Sequence, residues 1–254
     1  MVVENRIEST PRTHDGRVAI VTGAAHGIGQ AIAIKLAERG AQLVLVDIGD
    51  TAETAARIGK SALCITADVS KDADWDRVGV EVDGRFGRAD IVVNNAAYYP
   101  HGLIDDLTYD TWRQTLAVNL DAHFLSAKHF VPRMRRNQWG RFVGISSNSI
   151  GTSVQGLSHY MASKMGIIGF MRGLANDVGA DGITANAILP ALTNTRATRE
   201  LPDDFKQSIW QQQAIKRFAQ PEDIAGPVVF LTSEDAGFVT GQAIVVDGGQ
   251  YKIS

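Results

Sequence analysis

The alternation of two kinds of segment limits the fold of this chain more than any other feature. Short apolar runs rich in β-branched residues are followed by longer segments with the period of an amphipathic helix. The predicted strands are Arg17–Thr22, Gln42–Asp47, Ala62–Ala67, Ala89–Asn94, Arg141–Ser146, Gly182–Ile188 and Ala243–Asp247. The predicted helices are Gly27–Arg39, Thr51–Ile58, Asp72–Phe86, Tyr109–Arg136, Ser158–Val178 and Pro221–Thr232. Such alternation predicts right-handed crossovers and a parallel sheet.

One domain accounts for the whole pattern. The chain has 254 residues, of which 44% are apolar and 21% charged, and a chain of this size holds a core without disulfides or metal. We expect an α/β fold, a single doubly wound Rossmann-type domain over residues 15–254, with a mainly seven-stranded parallel sheet and helices on both faces. Residues 1–14 are expected to form a flexible polar tail. The irregular segment Ala191–Gln213, within a loop of about residues 190–215, has a length typical of binding loops.

Composition excludes several classes of protein. A net charge of −3 gives no basic surface for nucleic acid, and no apolar run approaches the length of about 18 residues that a membrane span needs. Cys64 is the single cysteine, so no disulfide framework is expected and the cytoplasm is the expected compartment. The six histidines lack metal-ligand spacing, so we predict no metal site.

A glycine-rich segment lies between the first predicted strand and the first predicted helix. It carries Gly23, Gly27 and Gly29 in a G-x-x-x-G-x-G spacing. Glycines let the backbone turn sharply and approach a pyrophosphate, and the helix N-terminus behind them offers free N–H groups and a partial positive charge. The segment therefore predicts a dinucleotide site. A glycine-rich turn without a ligand is the alternative.

Asp47 strengthens the dinucleotide interpretation. It ends the second predicted strand, about twenty positions after Gly27, where a carboxylate reaches the adenosine ribose hydroxyls of a dinucleotide. The same charge repels a 2′-phosphate, so we expect NAD to be preferred over NADP. A strand-end aspartate that only caps the next turn is the alternative. His26 is an ambiguous neighbour, because its imidazole attracts a phosphate only when it is protonated.

Tyr160 and Lys164 lie four residues apart on a predicted helix and therefore share a face. A lysine ammonium beside a tyrosine stabilises the phenolate and lowers the tyrosine pKa. Such a tyrosine takes a proton from an alcohol or gives one to a ketone. This motif is weak alone and gains value from the residues around it.

Together these motifs resemble those of the short-chain dehydrogenase/reductase family. The resemblance extends over residues 15–249 and implies an NAD-dependent alcohol dehydrogenase or carbonyl reductase. The elements that match in order and spacing are Thr22–Gly29, Asn94–Ala97, Asn119, Ser147, Tyr160, Lys164, Pro221–Ala225 and Thr240–Gly249. Two positions depart from the family pattern, because Ala97 and Ala191 stand where the family usually has glycine.

The resemblance implies roles for the matching residues. Tyr160 is the acid/base, and Ser147 hydrogen-bonds the substrate oxygen. Lys164 binds the nicotinamide ribose and lowers the Tyr160 pKa, while Asn119 holds a water in a proton relay. The other implied cofactor contacts are Gly23, His26, Gly27, Ile28 and Gly29 at the pyrophosphate turn, Asp47, Asp68, Val69 and Asn95 around the adenosine, and Pro190, Thr193 and Thr195 at the carboxamide end.

The substrate pocket is expected between the loops that follow the fourth, fifth and sixth strands. Its predicted lining is apolar and aromatic: Tyr98, Tyr99, Ile150, Val154, Leu157 and Leu192. This lining favours a small to medium apolar secondary alcohol or ketone, although Tyr98 and Tyr99 are equally typical of loop packing. Tyr99-Pro100, Trp139–Arg141 and Pro190–Leu192 are similar to family members that oxidise aryl secondary alcohols such as 1-phenylethanol.

Two other functions stay open. The sequence also resembles 3-oxoacyl-(acyl-carrier-protein) reductases, which are usually NADPH enzymes, and Asp47 argues against that reading. A non-catalytic dinucleotide-binding protein is the other alternative, against which the set of Asn119, Ser147, Tyr160 and Lys164 argues. The family resemblance also implies a homotetramer, with a dimer as the alternative. The binding partner that it implies is a small-molecule substrate.

Overall fold

The computed structural model describes residues 12–59 and 62–252 and contains one seven-stranded parallel sheet in the order β3-β2-β1-β4-β5-β6-β7. The expected α/β fold with a doubly wound parallel sheet is confirmed. The strands are β1 Val18–Thr22, β2 Gln42–Asp47, β3 Leu63–Thr66, β4 Ile91–Asn94, β5 Gly140–Ile145, β6 Ile183–Pro190 and β7 Ala243–Val246. Strand order reverses between β1 and β4, and the crevice at the carboxyl ends of these strands is where open parallel sheets bind ligands.

Each face of the sheet carries its own apolar core, because successive strand residues point to opposite sides. Val18 and Ile20 of β1 pack against the first core together with Trp75 and Phe130. The intervening residues of the same strand pack on the opposite side against the second core, which includes Leu36. Covering helices on both faces leave the strand ends as the open edge of the domain.

The helices bear out most of the predicted boundaries. They are α1 Gly27–Glu38, α2 Ala52–Ile58, α3 Asp72–Phe86, α4 Tyr109–Leu116, α5 Ala122–Asn137, α6 Ser158–Val178, α7 Asp203–Trp210 and α8 Pro221–Leu231. Short 3₁₀ turns cover Asn148–Gly151 and Gly179–Asp181.

Two predicted boundaries are wrong. The single helix expected over Tyr109–Arg136 is interrupted by a π-helical turn, Ala117–Asp121, in which the Ala122 amide bonds to the Ala117 carbonyl five residues earlier. Such wide turns are frequent at functional sites. The segment Ala191–Gln213 was expected to be irregular but contains α7, whose first turn carries two aspartates that favour a helix N-terminus.

The start of the chain departs from the expected tail over residues 1–14. Residues 1–11 lie outside the described residues, but His14 is fully buried and hydrogen-bonds the Thr232 hydroxyl through Nε2 at 2.9 Å. The folded domain thus includes His14. Over residues 12–59 and 62–252, the structure has no helix with the length and apolar character that a membrane crossing requires.

Candidate active site

The glycine-rich turn joins the carboxyl end of β1 to α1. Gly23 and Gly27 have φ values of 64° and 61°, a region that favours glycine. A Cβ on Gly29 would collide with the Gly23 carbonyl. The His26 side chain makes no capping hydrogen bond to the α1 N-terminus. The first backbone amides of α1 therefore remain available to an anion, and a pyrophosphate fits this cradle.

Asn95 braces the glycine-rich turn from the neighbouring strand. Its Nδ2 donates to the carbonyls of Thr22 and Gly23 at 2.9 and 3.2 Å, and its backbone amide donates to the Thr22 hydroxyl at 2.9 Å. Ile28, expected at the pyrophosphate turn, packs against the second apolar core. Both residues thus shape the turn from behind.

Asp47 lies on the side of the same cleft where the adenosine is expected. Its two carboxylate oxygens accept hydrogen bonds of 2.9 Å from the backbone amides of Ala25 and Gly49. The carboxylate is half-buried at the carboxyl end of β2 and is held against the glycine-rich turn. Asp68 and Val69 follow the adjacent strand β3, where Asp68 accepts from the Ser70 hydroxyl at 2.6 Å and Val69 is buried. These residues border the place expected for an adenosine.

The loop after β6 forms the opposite wall of the cleft. A Cβ on Gly27 would lie 3.2 Å from the Thr195 Cγ2, so Thr195 faces the glycine-rich turn directly. Thr193 is buried, and its hydroxyl donates to the Ala191 carbonyl at 2.8 Å. Pro190 is the last residue of β6 and is buried. The predicted dinucleotide residues therefore surround one cleft, and their chemistry fits that group.

Tyr160 and Lys164 occupy one face of α6, as their spacing predicts. The Lys164 Nζ lies 5.4 Å from the centroid of the Tyr160 ring. Lys164 is 2% exposed, and its ammonium donates to the Ile145 carbonyl at 2.7 Å. The Ser146 hydroxyl donates to the Lys164 carbonyl at 2.8 Å, which ties α6 to the end of β5.

The pKa of Tyr160 differs from the sequence-based expectation. Burial raises the pKa of Tyr160 to about 12, the nearby Ser147 hydroxyl opposes this rise, and Tyr99 adds to it. Burial also lowers the pKa of Lys164 to about 7. Desolvation of the phenol is the largest cause and outweighs the opposing effect of Ser147, so the net shift of the Tyr160 pKa is upward, not downward as the sequence-based expectation has it.

Ser147 is distinguished from its serine neighbours by its contacts. Its hydroxyl is close enough to the Tyr160 phenol to lower the phenol's pKa, and it accepts from the Ser149 amide at 3.1 Å. Ser146 is engaged with Lys164, whereas the buried Ser149 hydroxyl meets no partner within the described chain. Ser147 and Tyr160 thus present two hydroxyl groups to one point in the cleft.

Asn119 lies in the π-helical turn and is fully buried. Its Oδ1 accepts from the Tyr98 amide at 2.7 Å, and its Nδ2 donates to the Tyr98 carbonyl at 2.9 Å and to the Ser163 hydroxyl at 3.1 Å. The side chain is therefore occupied in holding the loop after β4 against α6. The role in a proton relay that the family resemblance implies for Asn119 stays a prediction.

The loop after β4 brings two aromatic side chains, Tyr98 and Tyr99, to the Tyr160 side of the cleft; they are called the aromatic wall below. The Tyr99 ring stands edge-on to the Tyr160 ring, with centroids 5.8 Å apart, and Tyr98 and Tyr99 are 40% and 44% exposed. The remaining predicted pocket residues are all half-buried on the adjoining loops: Ile150, Val154, Leu157 and Leu192.

Sequence reasoning missed several residues that shape this site. The buried His159 bonds to the Pro100 carbonyl at 2.9 Å, and the Gly102 amide donates to the Gly156 carbonyl at 3.0 Å. The Tyr251 ring occupies the space that a side chain on Gly151 would need. The glycine at position 151 was the available signal, since a glycine can mark the close approach of another group.

Comparisons with known proteins agree with this geometry. A family model described as enoyl-(acyl carrier protein) reductase matches residues 23–250. The (2S)-((R)-hydroxy(phenyl)methyl)succinyl-CoA dehydrogenase subunit BbsD of Thauera aromatica is 36% identical over 241 residues, which cover 92% of this chain and 96% of the relative. The 3-oxoacyl-(acyl-carrier-protein) reductase FabG of Pseudomonas aeruginosa is 35% identical over 243 residues, 93% and 98% of the two chains. FabG of Escherichia coli is 34% identical over 242 residues, 94% and 99% of the two chains.

Proposed function

Because the chain belongs to the short-chain dehydrogenase/reductase family of oxidoreductases, we propose that it transfers a hydride between NAD(H) and a small to medium apolar secondary alcohol or ketone, with an aromatic substituent favoured. The observation that carries this proposal is the meeting of Ser147, Tyr160 and Lys164 at the cleft beside the glycine-rich turn.

The chemistry of this chain's own residues follows from their placement. In alcohol oxidation, the Tyr160 phenolate takes the hydroxyl proton while the Ser147 hydroxyl donates to the substrate oxygen. Once it has taken the proton, the Tyr160 phenol is a second donor to that oxygen beside the Ser147 hydroxyl, and each donor stabilises developing charge there by about 3 kcal/mol. Bound NAD⁺ supplies the hydride acceptor and a positive charge that favours the phenolate. In ketone reduction, the neutral Tyr160 returns the proton.

Asp47 supports NAD as the preferred cofactor. Its carboxylate is fixed at the end of β2 by the amides of Ala25 and Gly49 and cannot turn away from a 2′-phosphate without breaking these bonds. A carboxylate fixed in this position repels the 2′-phosphate of NADP and so lowers the affinity for NADP. The free ribose hydroxyls of NAD, in contrast, donate hydrogen bonds to the carboxylate.

The aromatic wall supports an aryl substrate. Tyr99 contacts the Tyr160 ring at its edge, so a substrate whose oxygen reaches Tyr160 would place its substituent near an aromatic surface. The name of the Thauera aromatica relative contains a benzylic secondary alcohol, a hydroxy(phenyl)methyl group. We extend that chemical class to this chain.

The test is a panel of aryl and alkyl secondary alcohols and their ketones, measured with NAD(H) and NADP(H). We expect aryl alcohols with NAD⁺ to give the highest kcat/KM. Tyr160→Phe should lose nearly all turnover, by about a thousandfold or more, and still bind NADH. Unchanged turnover in this variant would refute the assigned acid/base.

The second candidate is a 3-oxoacyl-(acyl-carrier-protein) reductase that uses NADPH. The similarity to FabG of two organisms and the description of the matching family model favour it. Asp47 argues against it, since its carboxylate is held in place. Turnover of a 3-oxoacyl thioester with NADPH that exceeds turnover of every aryl ketone with NADH would make it the better assignment.

We also propose that the protein forms a homotetramer, with a dimer as the alternative. Phe124 on α5 and Met165 on α6 are 53% and 52% exposed, and Phe238 before β7 is fully exposed. Large apolar side chains with this degree of exposure favour burial against further copies of the chain. Mass measurement in solution at several concentrations tests the assembly.

We also propose that the protein is located in a reducing compartment such as the cytoplasm. Cys64 is an exposed free thiol on β3, which persists most readily where thiols are kept reduced. Fractionation of the producing cells tests this placement.

A further inference from the structure

The turn after β7, residues 247–251, is built around one buried carboxylate. Asp247 directly follows the strand, and its Oδ1 accepts hydrogen bonds from the backbone amides of Gly249 and Gln250 at 2.9 and 3.1 Å. Its Oδ2 accepts from the Tyr251 amide at 2.7 Å. Gly248 and Gly249 have φ values of 67° and 84°, a region that favours glycine and lets the backbone fold around the carboxylate. The turn after β7 is therefore one fixed unit.

A fourth hydrogen bond to Asp247 comes from the segment that carries Ser147. The Asn148 side chain is buried, and its Nδ2 donates to the Asp247 Oδ2 at 3.1 Å and to the Gln250 Oε1 at 3.0 Å. Asn148 lies between Ser147 and Ser149, and the Ser149 amide donates to the Ser147 hydroxyl at 3.1 Å. The backbone that holds this hydroxyl is thus bonded to Asp247 through its middle residue.

The turn after β7 also holds the far end of the loop after β6. The Gly248 carbonyl accepts from the amides of Ala214 and Ile215 at 2.8 and 2.9 Å. A Cβ on Gly249 would lie 3.1 Å from the Ala214 Cβ, so the two segments are in close contact. Because the loop after β6 forms the wall opposite the glycine-rich turn, the turn after β7 connects that wall with the segment around Ser147.

The bond from Asn148 goes beyond what the turn itself requires. Three backbone amides suffice for an aspartate to shape a turn. A carboxylate accepts about four hydrogen bonds, and a buried one needs them because it is removed from water. Bonds to an ionised carboxylate are about twice as strong as bonds between neutral groups. The contact with Asp247 therefore restricts Asn148 more than a neutral acceptor would.

We propose that Asn148 and Asp247 are positioning residues for Ser147: their hydrogen bond fixes the start of the 3₁₀ turn, so that the Ser147 hydroxyl stays directed at the substrate oxygen beside Tyr160. This inference rests on the proposed function, because it concerns the hydroxyl that binds the substrate oxygen. Asn148 and Asp247 act through Ser147 and are not themselves catalytic residues.

Asn148→Ala tests the link with a small change, because the three backbone amides of the turn still hold Asp247. We expect kcat for the best alcohol of the panel to fall about tenfold, since a less restricted Ser147 hydroxyl is less often directed at the substrate oxygen. The KM for NAD⁺ should change by less than about twofold, because the glycine-rich turn is untouched. An unchanged kcat, or a KM for NAD⁺ raised as much as kcat is lowered, would overturn the proposal.

A double variant with Ser147→Ala separates positioning from general damage. If Asn148 acts through Ser147, Asn148→Ala should lower kcat by less than about twofold in an enzyme that already carries Ser147→Ala. In the wild-type background the same substitution should cost about tenfold. Losses that simply multiply in the double variant would overturn the proposal.

The matched control is Asn186→Ala. Asn186 is also buried, and its side chain donates to the Val239 carbonyl at 2.8 Å and accepts from the Gln242 amide at 3.0 Å. It lies four residues before the end of β6, roughly 13 Å along the strand from the cleft. We expect Asn186→Ala to lower the denaturation midpoint at least as much as Asn148→Ala and to keep kcat within about twofold of the wild-type value. Equal losses of kcat in the two variants would overturn the proposal.

Amide hydrogen exchange needs no turnover, and its wild-type arm covers the case in which Asn148→Ala does not fold. In the wild-type protein, we expect the three backbone amides that bond to Asp247 to exchange at least about a hundredfold more slowly than amides of an unstructured peptide. The Ser149 amide should exchange about tenfold faster in Asn148→Ala and at the wild-type rate in Asn186→Ala. Rapid exchange of the three amides in the wild type, or an unchanged rate at Ser149 in Asn148→Ala, would refute the link. Absence of alcohol turnover in the wild type would instead refute the proposed function.

Discussion

The Asn119 side chain holds the backbone of Tyr98 by two hydrogen bonds, accepting from its amide at 2.7 Å and donating to its carbonyl at 2.9 Å. These two bonds hold the π-helical turn against the loop after β4, which places Tyr99 edge-on to the Tyr160 ring. One buried amide thus helps to set the position of Tyr99 relative to Tyr160, the proposed acid/base.

Asn119→Asp keeps the side-chain shape nearly constant but should break the link between residue 119 and the Tyr98 backbone, because a carboxylate cannot donate to the Tyr98 carbonyl. We expect kcat to fall about tenfold to a hundredfold and the KM for the alcohol to rise as the aromatic wall loosens. Steady-state kinetics measure both. Asn137→Asp at the exposed end of α5 is the control, and equal effects of the two substitutions would contradict the assignment.

Asp47→Ser should relax cofactor discrimination. Removing the carboxylate ends the repulsion of a 2′-phosphate, so the preference for NADH over NADPH should fall about tenfold to a hundredfold. The bonds to Ala25 and Gly49 are also weakened, so the free energy of unfolding should drop by about 1–3 kcal/mol. Cofactor titration and denaturant unfolding measure these effects; Asp76→Ser, on the exposed face of α3, should change neither.

Gly29→Ala should damage the cradle, because the new Cβ collides with the Gly23 carbonyl. We expect NADH binding to be lost and stability to decrease. Gly84→Ala is the matched control, since Gly84 lies in α3 with open space around it, and alanine there should raise stability by about 0.5–1 kcal/mol. Isothermal binding and thermal unfolding distinguish the two, and normal NADH affinity in Gly29→Ala would argue against the cradle.

The pH dependence should differ between the two directions. Burial raises the pKa of Tyr160 to about 12, so the phenolate that oxidation needs becomes about tenfold more abundant with each pH unit below that value, while the neutral phenol that reduction needs stays almost fully populated. Oxidation of a secondary alcohol should therefore accelerate from about pH 6 to about pH 9, and reduction of the ketone should stay nearly constant. Parallel slopes in kcat/KM would count against Tyr160 as the shared group.

His14 should make the fold sensitive to acid. Burial, then the charge of Arg39, lowers the pKa of His14 to about 4. Because the unfolded chain binds this proton below its ordinary pKa and the folded chain does not, stability is lost as pH falls from about 6.5 to about 4, by on the order of 3 kcal/mol. His14→Gln should flatten this part of the stability profile. Exposed His26→Gln should not, and identical acid slopes in both variants would exclude His14 as the cause.

The sheet was predictable because its information is local. Apolar runs such as Leu43–Val46 and the glycines beside them define strands and turns with little help from distant residues. The clustering of the cleft residues was also predictable, because parallel strands bring their carboxyl ends, and the residues that follow them, to one edge of the sheet.

The interrupted helix and the inner position of His123 were not predictable in this way. A π-helical turn changes which side of the following helix faces the sheet, and no regular period in the sequence records it. His123 is buried because Gly144, a distant residue on β5, provides the space for its ring, and no local pattern reports that contact. The Tyr160 pKa likewise depends on burial in the folded chain, which the spacing of two residues does not report.

Two consecutive residues at the carboxyl end of β5 hold Lys164. Its ammonium donates to the Ile145 carbonyl, and its backbone carbonyl accepts from the Ser146 hydroxyl. A free lysine samples many rotamers, and ordering it costs about 1.5–2 kcal/mol. In this protein the side-chain entropy of Lys164 is lost when the chain folds, so its ammonium is already immobilised before a coenzyme binds.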